Sequence, residues 1–167
     1  MGAARLRTGI IAGYAATILG LGYAALSLYW TLGGTALLGT VGGEVGDLAR
    51  RGGAAAFTLG LGATLLKIAG CAVSYLLVRT RGRSRWVLLP AALGGFVLIV
   101  YGGVLVAVGA LVLTGAVEPD SAVDWTALRW HVVLWDLWFL VWGVALTTAT
   151  IAFRRQSLVD TAASGRA

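Results

Sequence analysis

Four long apolar runs separated by short polar segments dominate the pattern along the chain, over about residues 8–31, 54–78, 86–114 and 128–152. A helix needs about 20 predominantly apolar residues to cross a bilayer core, since each residue advances it by about 1.5 Å. Every run is long enough. The pattern therefore predicts an all-α fold, an integral membrane bundle of four transmembrane helices, with residues 1–167 forming one membrane domain. Pro90 is expected in the first turn of the third helix, where the missing N–H of proline is tolerated.

Composition agrees with this reading. Apolar residues make up 59% of the chain and charged residues 12%, about half the charged share of a soluble domain. The net charge is +6, and 12 of the 13 basic residues are arginines. They cluster beside the apolar runs instead of forming a basic groove interleaved with aromatics, so membrane orientation explains them better than nucleic acid. No Gly-rich phosphate loop followed by lysine is present. Cys71 is the single cysteine; an internal disulfide and a dithiol redox centre are excluded, and Cys71 is expected to pack as a small apolar residue. Arg5 and Arg7 precede the first run, but that run exceeds the roughly 7–15 residues of a signal-peptide core. It is expected to be an uncleaved first span.

The loops predict orientation. Arg5 and Arg7, then Arg79, Arg81, Arg83 and Arg85, then Arg154, Arg155 and Arg166 all fall on one side of a four-span protein. The opposite loops carry Glu44 and Asp47 balanced by Arg50 and Arg51, and Glu118, Asp120 and Asp124. Positive segments stay in the cytoplasm, so both termini are expected inside, in a bacterial cytoplasmic membrane. Three or five spans would divide the arginine clusters between the two faces. The first outer loop, residues 32–53, is glycine-rich yet half apolar, and is expected either to lie on the membrane or to fold back over the bundle. In the last loop Asp120, Ser121 or Asp124 is expected to cap the fourth helix.

Small residues let helices approach closely in a bilayer. Stripes of them mark packing faces: Gly9, Gly13, Thr17, Gly20, Ala24 and Ser27 in the first span; Gly60, Thr64, Cys71 and Ser74 in the second; Gly95, Gly102 and Gly109 in the third. The second stripe also carries Lys67, the only lysine. Mid-membrane lysine costs about 2.5–3.5 kcal/mol on insertion scales. At about 20 Å from the outer end it is too deep to snorkel easily, so a partner within the bundle is expected. Asp136 is the only acidic residue well inside a span, and a direct or water-bridged Lys67–Asp136 pair is predicted.

The fourth span concentrates the remaining chemistry. At 100° per residue, His131, Trp135, Trp138 and Trp142 share one face, and Asp136 lies about 140° from His131. Interfacial anchoring accounts for Trp86, Trp125 and Trp130; Trp138 and Trp142 lie deeper, facing either lipid or a pocket. His131 is the only histidine. It suits proton transfer or hydrogen bonding, and one histidine with scattered carboxylates does not suggest a metal site. Tyr29 and Trp30 close the first span at the same end, so three segments bring polar and aromatic groups to the outer half.

The stretches Tyr29-Trp30-Thr31-Leu32-Gly33-Gly34 and Leu134-Trp135-Asp136-Leu137-Trp138-Phe139-Leu140 resemble those of a family of small multi-pass bacterial membrane proteins, common in high-GC bacteria and known only as a domain of unknown function. The resemblance covers most of the chain. The family usually has histidine where this chain has Ser27, and often proline where it has Leu137. The resemblance implies the topology and draws attention to Tyr29, Trp30, Trp135, Asp136 and Trp138. It implies no reaction.

Three functions fit these observations. The first is binding of a lipophilic small molecule or lipid, with Tyr29, Trp30, Trp135, Trp138 and Trp142 as walls and Asp136 and Lys67 as the polar floor. The second is a membrane isomerase or cyclase on an isoprenoid- or sterol-like substrate, with Asp136, His131 or Glu44 as acid or base. The third is a structural or accessory subunit using its small-residue stripes for assembly, as in a homo-oligomer. The bilayer is the expected partner in each case. The sequence points to no cofactor and no nucleic acid.

Overall fold

The computed structural model describes residues 2–119 and 122–164. Its elements are α1 (Gly2–Thr31), a 3-10 turn (Leu38–Thr40), α2 (Gly43–Arg51), α3 (Gly53–Thr80), α4 (Arg85–Leu113), α5 (Trp125–Trp130), a π-helical turn (His131–Trp135) and α6 (Asp136–Ser164). The last three join end to end into one rod. Four rods are long and apolar enough to cross a membrane: Ala3–Thr31, Gly53–Thr80, Arg85–Leu113 and Trp125–Gln156. The protein is an all-α, multi-pass membrane protein.

The small-residue stripes set the register. On the α1–α6 seam, Gly9 faces Phe153 and Gly20 faces Trp142; on the α1–α3 seam, Gly13 faces Val78 and Gly20 faces Cys71. Numbers rise on one helix as they fall on the other, so both seams are antiparallel. The seam of α4 with α6 and the π turn repeats the pattern, with Gly95 against Thr147, Gly102 against Leu140 and Gly109 against Val132. A side chain at Gly102 would lie 2.5 Å from the backbone nitrogen of Leu140. Only glycine permits that approach, and in lipid close backbone packing drives helix association.

The packed core is Phe153, Leu146, Trp142, Leu77, Ala16 and Ala149. Three buried hydroxyls bond within their own helices: Thr64 donates to the Gly60 carbonyl at 2.8 Å, Ser74 to Gly70 at 2.9 Å and Thr150 to Leu146 at 2.8 Å. This i−4 bonding lets polar residues sit in an apolar bundle.

One local expectation changes, and the capping expectation is met at Asp124. Helix α4 starts at Arg85, so Pro90 lies inside it and not in its first turn. The prolyl nitrogen cannot donate to Trp86, but the break stays near the helix start, where few bonds are lost. At the head of α5, Asp124 accepts from the Thr126 and Ala127 N–H groups at 3.0 Å each; Asp120 and Ser121 lie outside the described residues.

The loop between α1 and α3 folds back over the bundle. Leu38 in its 3-10 turn is buried. Gly42 adopts a left-handed φ of 59°, and a side chain there would lie 2.5 Å from the Ala127 Cβ. Glycine thus lets the loop seat on α5 before α2 begins.

Candidate functional site

Helix α3 packs mainly on α1 and touches α4 and α6 much less. At the end away from the arginine clusters, the space left is a cavity of about 940 Å³, roofed by the loop and α2. Its rim includes Val45, Phe57 and Leu59, all exposed, so the cavity reaches the protein surface where α2 meets α3. Its inner wall brings together Tyr23, Lys67, Tyr101, Asp136 and Phe139 from the four spanning rods.

The π turn creates the polar centre. In a regular α-helix residues 131 and 136 would diverge by about 140°. Here the Asp136 backbone N–H donates to the His131 carbonyl, five residues back, and the widened turn carries both side chains round to one face. π-bulges of this kind occur frequently at functional sites. Asp136 Oδ1 lies 3.2 Å from His131 Nδ1, and His131 Nε2 lies 2.8 Å from the Val41 carbonyl oxygen. A carbonyl only accepts, so Nε2 carries a hydrogen. One more proton is then shared between Nδ1 and Oδ1, giving imidazolium with carboxylate or imidazole with carboxylic acid. Either arrangement is neutral overall.

This geometry corrects the direct form of the expected Lys67–Asp136 pair. No direct ion pair joins them; the partner of Asp136 is His131. The Lys67 ammonium instead sits 4.7 Å above the Tyr23 ring centroid, a cation–π contact. The π turn was the missing factor, because uniform α-helical spacing put His131 and Asp136 on different faces.

Of the other sequence-derived candidates, Trp30, Trp135 and Glu44 also border the cavity. Trp135 is buried and its indole N–H donates to Thr40 Oγ1 at 3.2 Å. With the His131–Val41 bond, this second tie fastens the loop over the cavity. Glu44 is exposed in the first turn of α2. Tyr29, Trp138 and Trp142 stand elsewhere. The Tyr29 hydroxyl accepts from the Ala36 N–H at 3.3 Å, outside the cavity. Trp138 stacks on Tyr23 at 5.2 Å and donates to the Leu19 carbonyl at 3.0 Å. Trp142 is packed in the core between Gly20 and Gly70. The two deep tryptophans therefore brace the bundle behind the cavity wall.

The residue that sequence reading passed over is Tyr23. It stacks at 6.2 Å on Trp135, meets Phe139 at 4.7 Å and holds Lys67. The available signal was its position three residues after Gly20 and four before Ser27, on the stripe already assigned to packing. No group of three His, Cys, Asp or Glu side chains able to hold a metal occurs among the described residues.

Fold and site together define a four-span helical membrane protein with an aromatic-walled, loop-roofed cavity around a His–Asp pair. The chain belongs to the DUF3995 family of proteins of unknown function, which it matches over residues 20–146. That segment contains every residue lining the cavity, from Tyr23 to Phe139, and leaves out the arginines at both ends of the chain. No curated protein and no solved structure matches it.

Proposed function

We propose that this protein binds a lipophilic small molecule or lipid in the cavity beneath the α1–α3 loop. The cavity itself carries this reading. Its volume of about 940 Å³ lies at the upper end of the range for small-molecule sites, about 300–1,000 Å³. Its walls are mostly apolar and aromatic, with a few convergent polar groups, the composition such sites use. The exposed rim at Val45, Phe57 and Leu59 suits entry from the bilayer. Arginine clustering at the opposite end supports a cytoplasmic position for both termini, with the cavity in the outer half of a bacterial cytoplasmic membrane.

A second reading, proton-transfer catalysis on an isoprenoid-like substrate, draws support from the His131–Asp136 hydrogen bond. Both imidazole nitrogens are occupied under the closed loop, so the free Oδ2 of Asp136 would be the acid or base, with His131 holding its proton.

Native mass spectrometry of the protein in mild detergent, with solvent extraction, tests the binding reading. A discrete small-molecule adduct, lost in Trp135→Ala, is expected. A bare spectrum with a discrete oligomer would contradict it and favour a structural subunit. Chemical conversion of the extracted molecule by wild type and not by Asp136→Asn would establish the enzymatic reading.

A further inference from the structure

We propose that the ligand of this cavity is a lipophilic acid, an apolar body with a carboxylate or phosphate head bound by Lys67; this rests on the reading that the cavity takes a lipophile. Lys67 lies about 20 Å along α3 from its start at Gly53, where an ammonium needs a partner. Among the described residues the one interaction of its ammonium is the cation–π contact with the Tyr23 ring at 4.7 Å, with no hydrogen bond and no ion pair. An ammonium has three N–H donors, and a ring face below it leaves donors pointing into the cavity.

The acidic groups on the wall do not supply the missing partner. Asp136 is engaged by His131 at 3.2 Å, and the pair is neutral wherever its proton sits. Glu44 belongs to the exposed roof helix. The other polar side chains near the inner end, Ser27 and Tyr101, are uncharged. The inner end therefore carries one uncompensated positive charge. An acidic head completes it. A neutral guest would leave Lys67 unpaired among apolar groups, and a cationic guest would compete with Lys67 for the Tyr23 ring face.

The test uses the full chain in phosphatidylcholine nanodiscs, with native mass spectrometry to titrate four probes sharing one tail: palmitate, hexadecyl phosphate, hexadecanol and hexadecyltrimethylammonium. A charge-assisted hydrogen bond predicts that at least one acid binds about 10- to 100-fold more tightly than hexadecanol. The preferred acid identifies the head. Lys67→Met is expected to abolish the preference and Lys67→Arg to retain it. Should Lys67→Met fail to fold, the wild-type series decides alone. Equal binding of hexadecanol, tightest binding of the ammonium probe, or a preference that survives in Lys67→Met would overturn the acid while leaving the lipophile site standing. Retention of no probe would overturn both.

Discussion

Replacing His131 by Phe keeps a flat ring in the π turn and deletes both of its hydrogen bonds, at 2.8 Å to Val41 and 3.2 Å to Asp136. Each such bond contributes about 1 kcal/mol net. Asp136 is only 6% exposed, so stranding its carboxyl adds about 1–3 kcal/mol. The expected loss is about 3–5 kcal/mol, the range for breaking a buried pair by removing one partner. Asp136→Asn should be far milder, below about 1.5 kcal/mol, because a carboxamide N–H can donate to Nδ1 while Nε2 still donates to Val41. In His131→Phe combined with Asp136→Leu no carboxyl is left stranded, so the double variant should lose about 1–3 kcal/mol less than the two single losses added together. Reversible unfolding in mixed detergent–SDS micelles, followed by far-UV circular dichroism, gives all the values. Additivity within about 0.5 kcal/mol, or an equal loss in Asp136→Asn and His131→Phe, would refute the assigned pairing.

Other consequences concern backbone approaches and capping. Gly102→Ala places a methyl 2.5 Å from the Leu140 nitrogen and 2.8 Å from the Asp136 carbonyl oxygen; it should cost about 1–3 kcal/mol in the same unfolding assay. Gly62→Ala, which meets nothing within 4 Å, should be neutral or stabilising by up to about 1 kcal/mol. Gly42→Ala combines a φ of 59° with a clash against Ala127, and a side chain held in that backbone conformation alone costs about 1–3 kcal/mol. Amide exchange over residues 38–42 should accelerate about 5- to 30-fold, with the core amides of α1 unchanged. Asp124→Ala should remove about 0.5–2 kcal/mol of helix capping and speed exchange at Thr126 and Ala127.

The spans were legible because lipid imposes a simple length rule, and the seams because Gly95, Gly102 and Gly109 recur every seventh residue. Both signals are periodic, and periodicity is what a linear sequence displays best. The site was legible in part. His131, Asp136, Lys67, Trp30, Trp135 and Glu44 stood out by rarity or by position, and all six border the cavity. Their partnerships were not legible. The one-residue widening at His131–Trp135 leaves the apolar character of the span unchanged while rotating Asp136 onto His131. The fold-back of the loop was one of two alternatives the sequence left open, since it rests on single ties from Val41 and Thr40 to residues some ninety positions away. Tyr23 was overlooked because a tyrosine among glycines on a packing face does not reveal that its ring forms a cavity wall.

Filling the cavity tests the central claim most directly. Ala63 borders the cavity, whereas Ala92 is exposed on α4 and lies outside it. Lipophilic molecules retained through purification would be quantified by extraction from wild type, Ala63→Phe and Ala92→Phe. The binding account predicts a stoichiometric ligand in wild type and Ala92→Phe, and most of it lost from a folded Ala63→Phe. Equal retention by all three, or no ligand in the wild-type protein, would contradict it.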